Sequence, residues 1–362
     1  MIKQKQKIVL GMSGGVDSSV ALFFLKEQGF EVIGVSLKFG FWENARNKSK
    51  ENVCCSAESI ERTKKVCRKY DCPHFIIDTS KEFKKSVIDY FLKALKGNKT
   101  PSPCLFCNRD VKIAALLNFA RNKEADCVAT GHYAKVRKNG EKFQLLRARD
   151  KEKDQTYFLA LLNQDQISRL IFPLADYTKE QVYEIAKKEG IDIAPRQSQD
   201  LCFVVDKSMP DFLKEEVGIK SGKIYDTKGN VLGTHQGLHF YTLGQRKGIK
   251  LPGGPFWVVG FDRKNNSLIV SDNPEDPELF TKEVLLSDVN FISGKAPDAL
   301  INVKAKIRFR QPLAKAALSV GGRTSASWRL VFDEPQRAVT PGQIAVFYQG
   351  DICLGSGIIS NQ

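Results

Sequence analysis

The chain has 362 residues and carries 56 Lys and Arg against 41 Asp and Glu side chains, a formal net charge of +15. Apolar residues make up 42% and charged residues 27%, which excludes a mostly disordered, collagen-like or membrane-embedded chain. No apolar run approaches the roughly 18–20 residues of a membrane-spanning helix, and the chain start matches no signal or transit peptide. We therefore expect roughly two or three domains, a cytoplasmic location and folding without structural disulfides.

The first part of the chain alternates strand-like and helix-like segments. Apolar, β-branched runs predict strands at 7–12, 31–37, 75–78 and 126–132. Amphipathic patterns predict helices at 17–28, 56–70, 80–96, 109–123, 154–170 and 178–189. This order predicts a parallel sheet with helices on both faces, and such sheets bind ligands beyond the carboxyl ends of their strands.

The sequence changes character after residue 208, where glycines separate short strand-like pieces such as 256–261 and 267–271. A stretch rich in Pro, Asp and Glu at 272–278 is typical of a linker, and alternating segments from 284 onwards indicate a small barrel. We predict an α/β protein with a parallel-sheet domain at 1–208, a small α+β central domain at 209–282 and a C-terminal β-barrel at 283–362.

The positive charge is concentrated in the first third of the chain, because residues 1–121 alone carry a net charge of +10. A surplus of this size favours a polyanionic partner such as a nucleic acid, since each neutralised phosphate releases counterions. A basic surface that serves only solubility is the alternative.

A string rich in glycine and serine joins the first predicted strand to the first predicted helix: Gly11-Met12-Ser13-Gly14-Gly15-Val16-Asp17-Ser18-Ser19. Glycines let a phosphate approach the backbone closely, while serine hydroxyls and the unpaired N–H groups of the helix start donate to it. Asp17 would repel a phosphate unless it holds Mg²⁺ or caps the helix. Because a Walker lysine is missing, the string indicates another class of phosphate loop, or else an Asp-capped helix after a glycine turn.

Nine cysteines in a chain without an export signal are expected to be mostly reduced, with any special ones catalytic or metal-binding. Cys104 and Cys107 come just before the predicted helix at 109–123, and a helix N-terminus lowers the pKa of a thiol. Cys202 lies in a predicted loop at 198–203. Half of a zinc site is the alternative for Cys104 and Cys107, and scattered cysteines ordinarily pack in cores.

The phosphate loop resembles the pyrophosphate loop of the N-type ATP pyrophosphatases, and further strings resemble the bacterial tRNA-specific 2-thiouridylase family along nearly the whole chain. These strings lie at 11–19, 54–56, 100–108, 129–134, 153–159, 198–203 and 242–248. The resemblance implies a nucleotide-hydrolase-like parallel-sheet domain, a central domain that binds tRNA and a C-terminal β-barrel. It also implies an enzyme that uses ATP and Mg²⁺, acts as a monomer and receives sulfur from an upstream persulfide relay protein.

In the reaction of that family, ATP adenylates the C2 oxygen of the wobble uridine at tRNA position 34 and releases pyrophosphate. A persulfide sulfur then displaces AMP to give 2-thiouridine. The resemblance implies that the residues from Gly11 to Ser18 cradle ATP, with Leu37 and Gly131 beside the adenosine. It implies that Cys202 carries the persulfide, and that Cys107 attacks it to release sulfide or to complete a Cys107–Cys202 disulfide.

Two groups of residues match the RNA contacts of the family. The positions around the target base are matched by Ser102, Pro103, Cys104, Lys153, Asp154 and Gln155. Arg308 and Phe309 match a tRNA contact in the barrel, where an arginine beside an aromatic ring suits phosphate binding and base stacking. An ordinary barrel strand with charged outer residues is the alternative for that segment.

One residue departs from the family pattern, because some members carry aspartate where this chain has Cys104. The acid–base role of that carboxylate is therefore not carried over. The third thiol suggests an alternative sulfur route, in which Cys104, Cys107 and Cys202 hold three irons of a [4Fe–4S] cluster whose fourth iron binds sulfide.

Two other functions remain open on the sequence alone. Another ATP-dependent ligase of the same superfamily explains the phosphate loop but leaves the cysteines and the barrel without a role. A non-catalytic nucleic-acid-binding protein, regulated by nucleotide, explains the charge but requires no thiol chemistry.

Overall fold

The computed structural model of the protein describes residues 6–39, 56–192, 201–204, 209–321 and 327–360. Within these ranges the strands form a five-stranded, a four-stranded and an eight-stranded sheet. Of the strings singled out in the sequence, Cys54, Cys55 and the residues at 198–200 lie outside the described ranges. No helix in these ranges is long and apolar enough to cross a membrane.

The five-stranded sheet belongs to the first part of the chain and is parallel, with the strand order β3-β2-β1-β4-β7. Its strands are β1 Lys7–Gly11, β2 Glu31–Lys38, β3 His74–Asp78, β4 Cys127–Thr130 and β7 Leu170–Ile171. In the central strand, Val9 packs into one core cluster while Ile8 and Leu10 pack into another on the opposite face. The predicted parallel sheet with both faces covered is confirmed.

The helices of this domain are α1 Val16–Glu27, α2 Ala57–Lys69, α3 (Ser80–Phe83, Lys84–Asp89 and Tyr90–Lys96), α4 (Pro103–Phe106, Cys107–Ile113 and Ala114–Asn122), α5 Thr156–Leu159, α6 Gln164–Ile167 and α7 Lys179–Lys188. The middle segments of α3 and α4 are π-helical. α4 begins at Pro103 rather than near Arg109, because proline suits the first position of a helix. Cys104 and Cys107 therefore lie inside the first turns of α4, not ahead of it.

The single helix predicted at 154–170 is wrong, because α5, α6 and β7 occupy that segment. Asn163 starts α6 with a capping box, and its side chain accepts a hydrogen bond from the backbone of Gln166. Leu159, Leu161 and Leu162 are all buried, so this apolar run is enclosed on every side instead of forming one face of a helix.

A hairpin of β5 Ala134–Asn139 and β6 Lys142–Arg147 leaves the first domain and extends the sheet of the barrel. β6 pairs with β17, with Leu146 opposite Ile352. The sequence pattern did not predict this hairpin, because β5 is rich in charged residues that remain exposed.

The four-stranded sheet forms the middle region, after helix α8 Met209–Glu216, and has the order β10-β11-β8-β9. Its strands are β8 Gly222–Asp226, β9 Val231–His235, β10 Trp257–Asp262 and β11 Ser267–Ser271. Ile224, Val258 and Leu268 form its small core. The predicted central domain with mixed helix and strand is confirmed.

The last six strands close into an antiparallel barrel, because β12 pairs with both β15 and β17. They are β12 Phe280–Phe291, β13 Ile301–Lys306, β14 Ala314–Val320, β15 Trp328–Arg337, β16 Ile344–Gln349 and β17 Ile352–Ile359. Val303, Leu318, Leu330 and Phe347 are among the apolar side chains that fill it. The predicted C-terminal barrel is confirmed.

Candidate functional site

The phosphate loop connects the carboxyl end of β1 to the start of α1. Gly15 is the N-cap residue, in extended conformation, and no side chain caps the helix. The alternative interpretation of the string as an Asp-capped helix is therefore wrong. Ser18 Oγ accepts a hydrogen bond from Ser13 N at 3.2 Å and donates to Gly15 O at 3.0 Å, so these serines hold the shape of the loop.

Two glycines allow other elements to pack tightly against this loop. Gly14 has a φ of +73°, and a Cβ there would lie 2.3 Å from Ser59 O in α2. A Cβ at Gly131, directly after β4, would lie 2.8 Å from Ser18 N in the first turn of α1. Only glycine fits either position without a backbone shift, and the close packing holds the N–H groups of the loop in place.

A cavity of about 210 Å³ opens beside the loop at the carboxyl ends of β1, β2 and β4. Seven of the predicted ATP-binding residues line it: Gly11, Met12, Ser13, Asp17, Ser18, Leu37 and Gly131. The other three do not line it: Gly14 and Gly15 lie in the loop, and Val16 is the first residue of α1. The predicted nucleotide residues are thus brought together at one place.

The sequence did not predict six of the lining residues: Val35, Phe39, Lys112, Leu116, Thr130 and His132. Thr130 and His132 fall inside a string that the sequence had singled out, so their signal was present but not used. Gln155, predicted to bind the target base, also lines this cavity. Lys112 lies in the π-helical segment of α4 and had no signal, because only the fold carries it to the ends of the strands.

Asp17 is held by two partners from distant parts of the chain. Lys179 Nζ at the start of α7 donates to Asp17 Oδ1 at 2.6 Å, and the Tyr133 hydroxyl donates to the same oxygen at 2.9 Å. Burial, together with the Asp17 carboxylate, raises the pKa of Tyr133 well above its usual range. Since Oδ2 receives no hydrogen bond from the described residues, Asp17 fits a divalent cation through that oxygen.

His132 lines the same cavity as a neutral imidazole. Desolvation, with a smaller repulsion from Lys112, lowers the pKa of His132 to about 3. Its Nδ1 lies 2.8 Å from Thr130 Oγ1, which orients the ring. At neutral pH this histidine therefore offers a hydrogen-bonding group to a ligand without adding positive charge.

The three predicted sulfur-handling thiols lie at two places in the fold. Cys104 is half-buried in the first turn of α4, Cys107 is buried one turn later, and Cys202 is half-buried. Cys107 and Cys202 pack in the same apolar cluster, which also contains Leu37 and Phe39. Leu37 and Phe39 also line the nucleotide cavity, so the cluster that contains these two thiols reaches the cavity wall at those two residues.

No three His, Cys, Asp or Glu side chains are grouped closely enough to hold a metal ion within the described part of the chain. Within those residues, Cys104, Cys107 and Cys202 are therefore not gathered into a three-thiolate ligand set.

The predicted base-binding residues differ in their surroundings. Lys153 is exposed, whereas Asp154 is buried and accepts hydrogen bonds from Thr156 Oγ1 at 2.8 Å and Ala148 N at 3.2 Å. Gln155 Oε1 accepts from Tyr133 N at 2.9 Å. The buried Asp154 carboxylate therefore stabilises the segment at 153–155 by hydrogen bonds inside the protein.

The other predicted base-binding residues, at the start of α4, face the barrel. Ser102 hydrogen-bonds Tyr157, whose hydroxyl also donates to Ile344 O in the barrel at 2.8 Å. Pro103 is buried, while Cys104 stays partly accessible. The first turn of α4 therefore lies between the nucleotide-binding domain and the barrel.

Arg308 and Phe309 both contact other residues of the protein. Arg308 Nη2 donates to Ala338 O at 2.7 Å, to Thr340 Oγ1 at 2.9 Å and to Leu243 O in the central domain at 3.3 Å. The Phe309 ring lies 4.3 Å from that of Phe158. Arg308 therefore connects the central domain to the barrel. Phe309 packs against the ring of Phe158, which lies in the string at 153–159.

The geometry defines a nucleotide-binding α/β protein with a glycine–serine phosphate loop and with two thiols in an apolar cluster that shares Leu37 and Phe39 with the cavity lining. Family comparison matches residues 6–206 to a domain described as the tRNA methyl transferase HUP domain. Residues 210–272 match a tRNA methyl transferase PRC-barrel domain, and residues 281–359 match an aminomethyltransferase beta-barrel domain.

Curated relatives are similar to this chain over its whole length. The tRNA-specific 2-thiouridylase MnmA of Acetivibrio thermocellus is 41% identical, over 98% of this chain and 99% of the relative. The MnmA of Clostridium perfringens is 40% identical over 99% of both chains, and MnmA 1 of Geobacillus kaustophilus is 38% identical over 98% and 96%. The chain belongs to the tRNA-specific 2-thiouridylase family.

Proposed function

We propose that the protein is an ATP-dependent tRNA 2-thiouridylase that converts the wobble uridine of tRNA to 2-thiouridine. The observation that carries the proposal is the nucleotide cavity at the phosphate loop, with Cys107 and Cys202 packed in an apolar cluster that shares Leu37 and Phe39 with it. Activation of an oxygen by ATP and attack by sulfur require these two features side by side.

The phosphate loop and Asp17 serve the first step. The C2 oxygen of the uridine attacks the α-phosphorus of ATP, so an O–P bond forms and pyrophosphate leaves. The loop N–H groups and Ser13 stabilise the phosphates, and Asp17 is the residue that would hold Mg²⁺, which would offset the charge of the phosphates when bound. Lys112 and Lys179 provide the positive charge that a loop without a Walker lysine lacks.

Cys202 and Cys107 serve the second step. A persulfide relay protein supplies the outer sulfur on Cys202, which attacks C2 of the adenylated base and forms a C–S bond. Cys107 thiolate then attacks the inner sulfur of Cys202, so a Cys107–Cys202 disulfide forms and the bond between the inner and outer sulfurs breaks, which leaves the outer sulfur on C2 with the electron pair. The C–O bond then breaks, the C2=S double bond forms and AMP leaves. A dithiol reductant afterwards returns both thiols to the reduced state.

The tRNA is bound by the first turn of α4, by the motif at 153–155 and by the basic surface of the first domain. Ser102, Cys104 and Lys153 contact the target base, and Phe309 with Phe158 offers an aromatic surface for stacking. The protein acts in the cytoplasm as a monomer, with functional units at 1–208, 209–282 and 283–362.

Mass spectrometry of tRNA nucleosides tests the function. Purified protein is incubated with unmodified tRNA, ATP, Mg²⁺ and a persulfide or sulfide source, and we expect 2-thiouridine that depends on ATP, with equivalent AMP. ATP–pyrophosphate exchange without tRNA would instead indicate a ligase that acts on a small molecule.

Replacing Cys202 tests the thiol route. Cys202→Ser should abolish 2-thiouridine formation while tRNA binding persists, because serine cannot carry a persulfide. Cys127→Ser is the matched control, since Cys127 is also half-buried but lies in β4, and it should keep the wild-type rate. Undiminished thiolation by Cys202→Ser would falsify the route.

The iron–sulfur route is the alternative mechanism for the same reaction. Anaerobic purification followed by iron and acid-labile sulfide analysis distinguishes the two routes. Iron-free, colourless and fully active protein excludes the cluster, whereas about four irons per chain, whose removal ends activity, contradicts the persulfide route.

A further inference from the structure

Tyr133 connects the phosphate loop to the motif at 153–155. Its hydroxyl donates to Asp17 Oδ1 at 2.9 Å. Its backbone N–H donates to Gln155 Oε1 at 2.9 Å, and its carbonyl accepts from Gln155 N at 2.8 Å. Tyr133 itself is only 3% exposed, so water has little access to the tyrosine side of these bonds, whereas Asp17 and Gln155 reach the cavity.

A second connection runs in parallel through α7. Lys179 Nζ holds Asp17, while the backbone N–H of the same residue donates to Asp150 Oδ2 at 3.0 Å. Asp150 Oδ1 accepts from Lys153 N at 3.1 Å. Asp17 is therefore joined to the segment at 150–155 from two sides, by a tyrosine and by a lysine.

Asp17 and Lys179 are the groups for which a bound nucleotide would compete. Lys179 neutralises the Asp17 carboxylate at 2.6 Å, and in a complex with a nucleoside triphosphate the phosphates would attract Lys179 while Mg²⁺ would attract Asp17. Because Tyr133 is bonded to Asp17 at its hydroxyl and to Gln155 at its backbone, a shift of Asp17 changes the bonding of Gln155.

We propose that Tyr133 is a positioning residue that couples nucleotide occupancy to tRNA binding, through the hydrogen bonds Asp17–Tyr133–Gln155. The inference rests on the proposed function, since it requires that the motif at 153–155 contacts tRNA. Nucleotide then tightens tRNA binding and tRNA tightens nucleotide binding by the same factor, because thermodynamic coupling is reciprocal.

The test measures the Kd of tRNA with and without a non-hydrolysable ATP analogue and Mg²⁺. For the wild type we expect the analogue to tighten tRNA binding about tenfold, the effect of one charge-assisted hydrogen bond. Tyr133→Phe keeps the buried ring but removes the hydroxyl, and the ratio of the two Kd values should fall towards one. The reciprocal ratio, for nucleotide with and without tRNA, should fall equally.

Two further variants complete the design. Tyr177→Phe is the matched control, because its hydroxyl makes no hydrogen bond to the described residues, and it should keep the wild-type ratio. Gln155→Leu removes the acceptor at the other end of the path and should lose coupling although Tyr133 is intact. A wild-type ratio of one, or an unchanged ratio in Tyr133→Phe, overturns the inference; absence of any tRNA or nucleotide binding by the wild type overturns the proposed function instead.

Discussion

The residues around Asp17 offset the repulsion between its carboxylate and a bound phosphate. A carboxylate beside a phosphate loop repels its ligand, and the fold places Lys179 against it from 162 positions away along the chain. The ammonium also lies 4.7 Å from the ring of Tyr183, so it is held by an aromatic ring as well as by charge.

Replacing Lys179 should weaken nucleotide binding. Lys179→Met leaves Asp17 without its counter-ion, and we expect the Kd for ATP with Mg²⁺ to rise roughly ten- to a hundredfold, since bonds between charged groups contribute about 1.5–3 kcal/mol. Isothermal titration calorimetry measures this. Lys135→Met is the matched control, because the Lys135–Asp176 pair is exposed and should contribute little; equal effects of both variants would contradict the assignment.

His132 should make the fold sensitive to acid. Its pKa is about 3 in the folded protein and near 6.5 when exposed, so between these values the unfolded chain binds an additional proton. The free energy of unfolding therefore falls as the pH falls from 6.5 towards 3. In denaturant titrations across this range, His132→Asn should lose less stability than the wild type, and parallel profiles would show that His132 does not contribute.

At the scale of elements, the most informative difference is the start of α4. The sequence predicted that Cys104 and Cys107 come before a helix at 109–123. In the structure the helix begins at Pro103, so both cysteines lie in its first turns. The π-helical segment at Cys107–Ile113 rotates the following residues, and Lys112 reaches the nucleotide cavity from there. Periodicity could not show this, because a π turn interrupts the repeat of 3.6 residues.

The loop at 148–156 should depend on Asp154 for stability. Asp154 is 2% exposed, and Arg147 Nε lies 3.4 Å from its Oδ2. Asp154→Ala removes the acceptor of Thr156 Oγ1 and Ala148 N and leaves the partly exposed Arg147 without its partner, and we expect a loss of about 2–3 kcal/mol in the free energy of unfolding. Asp351→Ala, which breaks the exposed pair with Lys151, is the comparison and should cost far less in chemical denaturation.

At the scale of the whole molecule, the three regions are joined by particular contacts. The β5–β6 hairpin extends the barrel sheet, Thr100 N donates to Pro341 O at 2.9 Å, and Arg308 connects the central domain to the barrel. The segment that leads into Cys104 and Cys107 is thus held against the barrel, so the position of α4 depends on contacts outside the parallel-sheet domain.

Replacing Arg308 should loosen the connection between the central domain and the barrel. Arg308→Leu removes its hydrogen bonds to three oxygens, and we expect the free energy of unfolding to fall by about 2 kcal/mol. Arg310→Leu is the control, because Arg310 is exposed on the same segment. If Arg308→Leu leaves thermal unfolding unchanged but lowers tRNA affinity and its salt dependence, direct tRNA contact is the role of Arg308 instead.

By itself, the sequence determined the parallel sheet, the phosphate loop and the barrel, because these follow from local patterns: β-branched runs, glycine spacing and strand–loop–helix order. The roles of Cys107 and Cys202 stay predictions that rest on the family resemblance. The net charge of +15 favoured a polyanionic partner. Only the tertiary structure decided that Lys179, Tyr133 and Lys112 surround the phosphate loop and that Asp154 and Arg308 are internal braces. Those contacts join residues far apart in the chain, and no local pattern records which distant side chains a packed core brings together.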